Sequence, residues 1–486
     1  MKSIRSSIAY SAAESYLSLV LQIASTVIIS RILTPEQTGI FAVAAVFAAL
    51  ASTFRDFGVG EYLIQEANLS HEKIRAALTV NIAISWTVGV ILFFGAPYAA
   101  DFYRQSGVGD VMRVQAFNFA LIPFGAVTMA HFRRSLDFKP ILIASAAANS
   151  VSFVVSVVCA LNGLSYMSLA WSSLAGVMVT VGASLLLRPA GFPRWPGLQG
   201  VAAVFHFGKY ASGIYFLGQL GKGAPEMIIG RAQDMASVAL FSRAAGLVEI
   251  FNRLVLRAVL PVCLPYFAKS SREHGSLVTG YLTSISYLTA IGWPFVAFLG
   301  VIAFAAIRIV YGTQWVAAAP LAQIICAAAA VDLVYHLAKE ALLAEGRVKT
   351  SNNLQAGLVA AQVLGLLAVI PFGLPGAAWG FLAATLVGAA LSQRVLHRAI
   401  GLRFADVLQG CLPSLYITVI TVAPVAIWAA IEGITENNFA RFAIVGGGAT
   451  AVSWIVSLRL VGHPLWPEVV RAGNLVGATA ARLVQR

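Results

Sequence analysis

Charge is scarce in this sequence. Of its 486 residues, 33 are Lys or Arg and 20 are Asp or Glu, 11% in all, against about 25% in an ordinary soluble domain. So few charges cannot cover the surface of a soluble fold of this size. A disordered chain is excluded as well, because 59% of the residues are hydrophobic and the mean hydropathy is +0.81. Cysteine is scarce too. Cys159, Cys263, Cys326 and Cys411 sit singly in apolar runs without CxxC spacing. They read as small core residues, with neither a disulfide framework nor a metal site. Catalytic signatures are missing: the chain has no GxSxG, no Walker loop and no HExxH, and its seven His are scattered. No ATP-driven pump resides in this chain, no cofactor or metal is expected, and energy must come from a gradient or from substrate flux.

What the sequence does have is long apolar runs. They are continuous, not alternating, which excludes an outer-membrane barrel. A bilayer-spanning helix takes about 20 apolar residues. The runs predict fourteen helices, at 11–33, 38–60, 75–99, 113–132, 140–161, 164–187, 208–231, 237–262, 279–308, 316–338, 351–371, 374–397, 408–431 and 440–460. The second and eighth carry charges that lower their hydropathy, and a twelve-span reading drops two helices. The basic residues test the map. With the N-terminus inside, 22 Lys and Arg fall in the segments on the cytoplasmic side and 6 on the other (Arg31, Arg104, Arg113, Arg231, Arg308, Arg441). The remaining 5 lie within helices. This split on a strict alternation supports fourteen spans with both termini cytoplasmic. It also accounts for the net charge of +13 without nucleic acid. No cleaved signal peptide is expected.

A shift of 200 residues sets Tyr10 against Tyr210, Leu17 against Leu217, Arg31 against Arg231 and Phe41 against Phe241. A shift of 210 sets Lys139 against Lys349. The repeat unit is six helices, an even number, so both halves cross the membrane in the same sense. The expected organisation is an N-lobe at 1–188, a cytoplasmic interfacial linker at 189–207 and a C-lobe at 208–400. Two further helices follow at 401–463, then a cytoplasmic amphipathic tail at 464–486. The fold class is therefore an all-α polytopic membrane protein, with two six-helix lobes related by pseudo-two-fold symmetry and two C-terminal helices. A site is expected between the halves, near the midplane.

Charges within the membrane cost about 2.5–3.5 kcal/mol each on insertion scales, so they mark candidate sites. The seventh span runs Gly218-Gln219-Leu220-Gly221-Lys222-Gly223-Ala224-Pro225-Glu226. Its glycines and proline should loosen the helix, and Lys222 and Glu226 share one face. In the eighth span Arg243, Glu249, Arg253 and Arg257 lie within one arc of about 120°. Glu249 can pair with Arg253, whereas Arg243 has no acid three or four residues away. Facing a cavity, Arg243 should make few packing contacts. Arg55 and Asp56 are adjacent in the second span. Asp332 and His336 share a face of the tenth, and Glu14 lies in the first. Arg243, Lys222, Arg55, Arg253, Arg31 and Arg231 are the candidates for binding an anionic diphosphate or sugar group, because guanidinium groups suit phosphate bidentately. Asp332, Glu14, Asp56 and Glu226 are the candidates for ion coupling.

Several short patterns carry a resemblance. Leu33-Thr34-Pro35-Glu36-Gln37-Thr38-Gly39 closes the first span. Asp56-Phe57-Gly58, Leu63-Ile64-Gln65 and Leu136-Asp137-Phe138-Lys139 follow, with Gly230-Arg231 and Phe241-Ser242-Arg243-Ala244 in the second half. The chain resembles the polysaccharide-transporter (Wzx-type) branch of the multidrug/oligosaccharidyl-lipid/polysaccharide flippase superfamily over nearly its whole length. The resemblance implies a bacterial inner-membrane flippase for undecaprenyl-diphosphate-linked oligosaccharides, the repeat units of O-antigen or exopolysaccharide. It implies a cationic cavity and alternating access, a monomer in contact with membrane lipids, and polysaccharide polymerase or export machinery as partners. The alternatives are a cation-coupled multidrug exporter of the same superfamily and a membrane polymerase or ligase acting on lipid-linked sugars. The last would need a sizeable outside loop, and the longest here is about 13 residues, near Asp101–Arg113.

Overall fold

The computed structural model describes residues 4–56, 58–193, 195–256, 259–260, 263–268 and 277–471. Among these residues the regular structure is entirely helical. The helices are α1 (Ile4–Ile32), α2 (Pro35–Asp56), α3 (Val59–Gln65), α4 (His71–Tyr103), α5 (Ser106–Leu121), α6 (Pro123–Arg134), α7 (Phe138–Leu161), α8 (Met167–Leu186) and α9 (Val201–Ala232). Then come α10 (Met235–Phe251), a π turn (Asn252–Leu256), α11 (Val278–Val301), α12 (Ala303–Val310), a 3-10 turn (Thr313–Ala318), α13 (Ala319–Tyr335) and α14 (Ala338–Ala344). The last are α15 (Val348–Val369), α16 (Gly373–Ile400), α17 (Phe404–Glu432) and α18 (Phe439–Leu460).

Among the described residues, each of the fourteen expected spans overlaps a helix or a broken helix, and part of the eighth lies outside the described residues. Ten stretches among the described residues are long and apolar enough to cross a membrane, or eleven with α5 and α6 taken as one span bent by 55°. One stretch, Val348–Ile400, is 53 residues long. At 1.5 Å per residue that is about 80 Å, enough for two passes of a 30 Å hydrocarbon core. It is broken at Ile370–Phe372, and Gly373 has φ +74°, which lets the chain turn into α16. The two helices α9 and α10 fall outside the ten, and they carry Lys222, Glu226, Arg243 and Glu249. The second span, expected to score low for Arg55 and Asp56, passes.

The chain divides into two compact units, Met1–Ala239 and Leu240–Arg486. In the first, α1 packs on α7, α7 on α8, α4 on α5, and α2 on both α5 and α9. The helix expected to open the second lobe, α9, thus packs within the first unit, against α2 and α4. Its glycines are the reason. They do not break the helix, which is continuous from Val201 to Ala232 with Pro225 inside it. A Cβ on Gly223 would overlap the Val46 side chain, and one on Gly230 would stand 2.9 Å from Val43 Cγ2. Small residues let α2 and α9 approach closely, the usual means of helix association where lipid removes the hydrophobic drive.

The starts of α2 and α10 show why the motif around Thr34 has its form. Thr34 and Gln37 cap each other reciprocally, with Gln37 N–H donating to Thr34 Oγ1 (3.3 Å) and Thr34 N–H to Gln37 Oε1 (3.1 Å). Pro35 takes the first helical position, where no N–H is needed. Two hundred residues on, Ser237 N–H donates to Asp234 Oδ1 (2.6 Å) at the start of α10. The cap therefore recurs at the offset of the sequence repeat, with Asp234 in place of Thr34. Gly39 has a separate cause: a Cβ there would overlap the backbone carbonyl of Met235.

In the second unit α11 packs on α13 and α17, α15 on α16, α13 on α16, and α17 on α18. Beyond α18 the chain folds back. His463 is 1% exposed and lies against Ser286 of α11. Leu465 N–H donates to His463 Nδ1 (3.1 Å), so the proton sits on Nε2 and is donated to Ser286 Oγ (2.9 Å). Tyr287 Oη donates to the Pro464 carbonyl (3.1 Å), and Leu465 joins a small core with Ala290, Ile417 and Leu458. Of the tail expected at 464–486, residues 464–471 are thus docked at their start, and 472–486 lie outside the described residues. Burial holds the His463 imidazole below its usual pKa of 6.5. The unfolded chain then binds more protons in that range, so this contact contributes fully above pH 6.5 and is lost as pH falls through the lower folded value. His463→Ala should cost about 1–3 kcal/mol at neutral pH, since it leaves Ser286 and Leu465 N–H unpaired. Thermal unfolding of both proteins in detergent should show this gap narrowing on acidification. A gap independent of pH would mean that His463 contributes packing alone.

Candidate functional site

Among the candidate charges, Arg243 has the most defined surroundings. It lies on α10, beside the buried Phe241 and Ala244. Its guanidinium stands over two rings, 5.1 Å from the Tyr311 centroid and 5.0 Å from that of Trp315. Both rings are buried and lie 6.3 Å apart, Tyr311 at the end of α12 and Trp315 in the following 3-10 turn. The Arg243 Nε is buried with no hydrogen-bond partner among the described residues. The side chain is therefore held against this pair of rings through cation–π contacts, while its Nε makes no hydrogen bond among the described residues. The expectation that Arg243 makes few packing contacts is corrected: the sequence offered no local partner, but two aromatic residues about seventy positions away supply one.

Further along the same helix, Arg253 Nε and Glu249 Oε1 pair at 3.5 Å, as the i,i+4 spacing predicts. Asn252 Nδ2 donates to Glu249 Oε2 (3.0 Å), so the carboxylate is engaged on both oxygens. The helix widens there into the π turn, a form common at functional sites. Arg257 lies outside the described residues. On α13, Asp332 Oδ2 and His336 Nδ1 stand 2.8 Å apart, with the Asp332 side chain 59% exposed. One turn on, Glu340 of α14 keeps Oε2 buried with no partner among the described residues, a group that sequence reasoning missed. Its polar setting inside an otherwise apolar stretch (Lys339-Glu340 between Leu337 and Leu342) was the available signal.

In the first unit the expected groups do not converge. The Arg55 guanidinium stands 5.8 Å from the Phe119 centroid, and that of Arg231 5.2 Å from Phe102. Arg31 and Lys222 are exposed. Glu14 is half-buried near the start of α1, with Ser15 Oγ 3.5 Å from its Oε2. The side chain of Asp56 is outside the described residues. Glu226 keeps Oε2 buried and without a hydrogen-bond partner among the described residues, while Lys222 is exposed. Nearby, Tyr103 Oη donates to the Met227 carbonyl (3.3 Å). A buried carboxylate oxygen without a partner is costly unless the group is protonated or meets a cation.

Sequence comparison places these helices in a known group. Residues 28–320, more than half of the chain, match the family of polysaccharide biosynthesis proteins. The chain belongs to that family. Among curated relatives, the family member described here is similar to the teichuronic acid biosynthesis protein TuaB of Bacillus subtilis, 21% identical over 82% of this chain and 83% of that one. It is also similar to the lipopolysaccharide biosynthesis protein WzxC of Escherichia coli, 22% identical over 91% of each. The succinoglycan biosynthesis transport protein ExoT of Rhizobium meliloti is 25% identical over 60% of each chain. Among solved structures, this polysaccharide biosynthesis protein has the fold of the lipid II flippase MurJ in an inward closed conformation. The TM-score is 0.71 at 12% identity, over 95% of this chain and all of that one. An inward-facing multidrug transporter of the MATE family and MOP superfamily matches with TM-score 0.62 at 14% identity, over 82% and 94%. The protein is thus a multi-pass membrane protein with the fold of that superfamily.

Proposed function

We propose that the protein is a flippase that moves undecaprenyl-diphosphate-linked oligosaccharide repeat units, for O-antigen or exopolysaccharide, across the bacterial inner membrane by alternating access. The carrying observation is Arg243: a guanidinium seated beside two buried rings, its Nε buried and without a hydrogen-bond partner among the described residues. A diphosphate brings the charge that such a group lacks, and a planar fork meets phosphate oxygens two at a time. Family membership supports the reading, as do the transport role in the name of ExoT and the flippase fold of MurJ. Translocation needs no covalent chemistry from the chain. The protein binds, orients and releases, and no bond in the substrate changes. Translocation of a lipid-linked oligosaccharide in proteoliposomes tests it directly. Wild-type protein should expose the sugar to an external glycosidase, and protein-free vesicles should not. Equal exposure in both would remove the proposal.

Both termini are proposed to be cytoplasmic, on the strength of the basic-residue split. Cysteine labelling should then reach position 347 only from the cytoplasm and Asp101–Arg113 only from outside. Labelling of position 347 from the periplasm would sink the fourteen-span map.

The Asp332–His336 pair is the proposed coupling site, with Glu226 as the second candidate. Paired at 2.8 Å and partly open to solvent, the aspartate and imidazole can share and release one proton. Asp332→Asn keeps the shape but removes the titrating oxygen. Substrate binding should survive, while the response of transport to an imposed pH gradient should vanish. An undiminished response would remove Asp332 and leave Glu226→Gln as the next variant.

A further inference from the structure

A cavity lies in the first unit, well away in the chain from Arg243. It measures about 720 Å3, the size of a drug-sized ligand site. Its wall is built from the α3–α4 turn (Ala67 to Ser70), the first turn of α4, the end of α6 and the connector that leaves α8. The connector is not a loose strap. Arg75 donates to the carbonyls of Trp195 (3.3 Å) and Pro196 (3.2 Å), and Thr79 Oγ1 exchanges hydrogen bonds with Gly197 (2.7 and 2.9 Å). Arg188 donates to the Phe124 carbonyl (3.0 Å) and Thr128 Oγ1 (3.2 Å), with its guanidinium 5.5 Å from the Phe192 ring.

The lining combines apolar groups, Leu69, Ile74 and Phe192, with the basic side chains Arg134, His131 and His71, and no carboxylate among the described residues lines the cavity. Arg134 is held in place by three neutral acceptors, the carbonyls of Leu63 (2.8 Å), Ile64 (3.1 Å) and Ala67 (3.3 Å). Carbonyls fix a guanidinium without cancelling its charge. The adjacent acid in the chain, Glu66, is taken by Lys73 at 2.8 Å. His131 packs its ring on Phe192 (5.1 Å) and keeps Nδ1 buried with no partner among the described residues. Just past the cavity the connector exposes Trp195 (76%) and Leu198 (82%), large apolar groups of the kind that seat in a membrane interface.

We infer that this cavity is a binding site for the phosphate head group of an anionic phospholipid in the leaflet that faces the basic loops, with Arg134 and His131 on the phosphate and Phe192 and Leu69 against the glycerol and first acyl carbons. The inference rests on the membrane reading of the chain and on the charge pattern that assigns these segments to the cytoplasm. It does not depend on which sugar is transported. A lipid so bound would tie the connector to the bilayer at the point where the chain leaves α8.

The test is native mass spectrometry of the full chain released from nanodiscs of phosphatidylglycerol and phosphatidylcholine. Wild-type protein should retain a phosphatidylglycerol molecule in preference to phosphatidylcholine. Ala190→Trp fills the cavity without touching a charge, and His131→Phe keeps the ring on Phe192 without its nitrogens. Each should lower retention about ten-fold, the loss of one charge-assisted or well-packed contact, while the unfolding temperature in detergent stays near that of the wild type. Arg134→Gln should do the same but also loosen the α3–α4 turn, so it serves only as a third variant. Retention unchanged in Ala190→Trp and His131→Phe would overturn the assignment. So would stabilisation by inorganic phosphate equal to that by lipid, which would make the site one for the free anion. Displacement of phosphatidylglycerol by undecaprenyl phosphate, but not the reverse, would give the cavity to the transported lipid and overturn it too. Sugar export that persists in variants lacking the lipid would leave the flippase proposal standing.

Discussion

Export should fall sharply in Arg243→Ala, and the protein should also become less stable. Two separate losses are involved. The first is the contact with substrate: a charge-assisted hydrogen bond contributes on the order of 1.5–3 kcal/mol, roughly ten- to a hundred-fold in affinity. The second is the packing of the guanidinium against Tyr311 and Trp315 at 5.1 and 5.0 Å, where each cation–π contact adds about 0.5–2 kcal/mol. The two are separated by measuring export per unit of protein in the membrane. Arg243→Lys keeps the charge and part of the ring contact but loses the planar fork. It should accumulate almost normally and still export poorly. Normal export by Arg243→Lys would show that only charge matters. Normal export by Arg243→Ala at normal abundance would remove the phosphate-binding role. Trp315→Phe serves as the control: it weakens the ring contact without touching the edge that meets substrate, so abundance should fall more than specific activity.

Gly39→Ala should reduce the folded protein more than any conservative change elsewhere in α2. The added methyl would overlap the Met235 carbonyl, which is backbone and part of the capped start of α10. A flexible side chain could turn away, but a carbonyl can move only if one helix slides on the other. Overpacking usually costs about 1–3 kcal/mol, and here the upper end or beyond is expected. Fluorescence-detected size exclusion of the membrane extract measures it. Gly95→Ala is the control, because a Cβ there meets nothing within 4 Å. Equal yields of the two variants would show that α2 and Met235 have room to part.

Much of the architecture was legible because the bilayer fixes the length of an apolar helix and the charge on its flanks. Those two constraints locate helices without any knowledge of their partners. Residues whose role depends on partners were read less well. Arg243 stood out as a costly charge, but Tyr311 and Trp315 looked like ordinary aromatics at the end of a span. The glycines of α9 looked like a helix break, since a sequence cannot show that Val43 and Val46 occupy the space their side chains would have filled. Lys222 and Glu226 have the spacing of an ion pair, yet burial separates their fates. His463 lies just past the last span, where residues are usually dismissed as tail, and only the fold brings Ser286 to it.

The placement of α9 has a consequence for biogenesis. The face of α2 that carries Val43 and Val46 is shaped for the glycines of a helix made long after it. Until that helix leaves the ribosome and enters the membrane, the groove stands open to lipid or to any other small-residue helix in reach. The first unit therefore cannot mature while the connector after α8 is being translated, even though six expected spans are already inserted. A stalled or prematurely terminated chain ending in 189–207 would display that unfilled groove on α2.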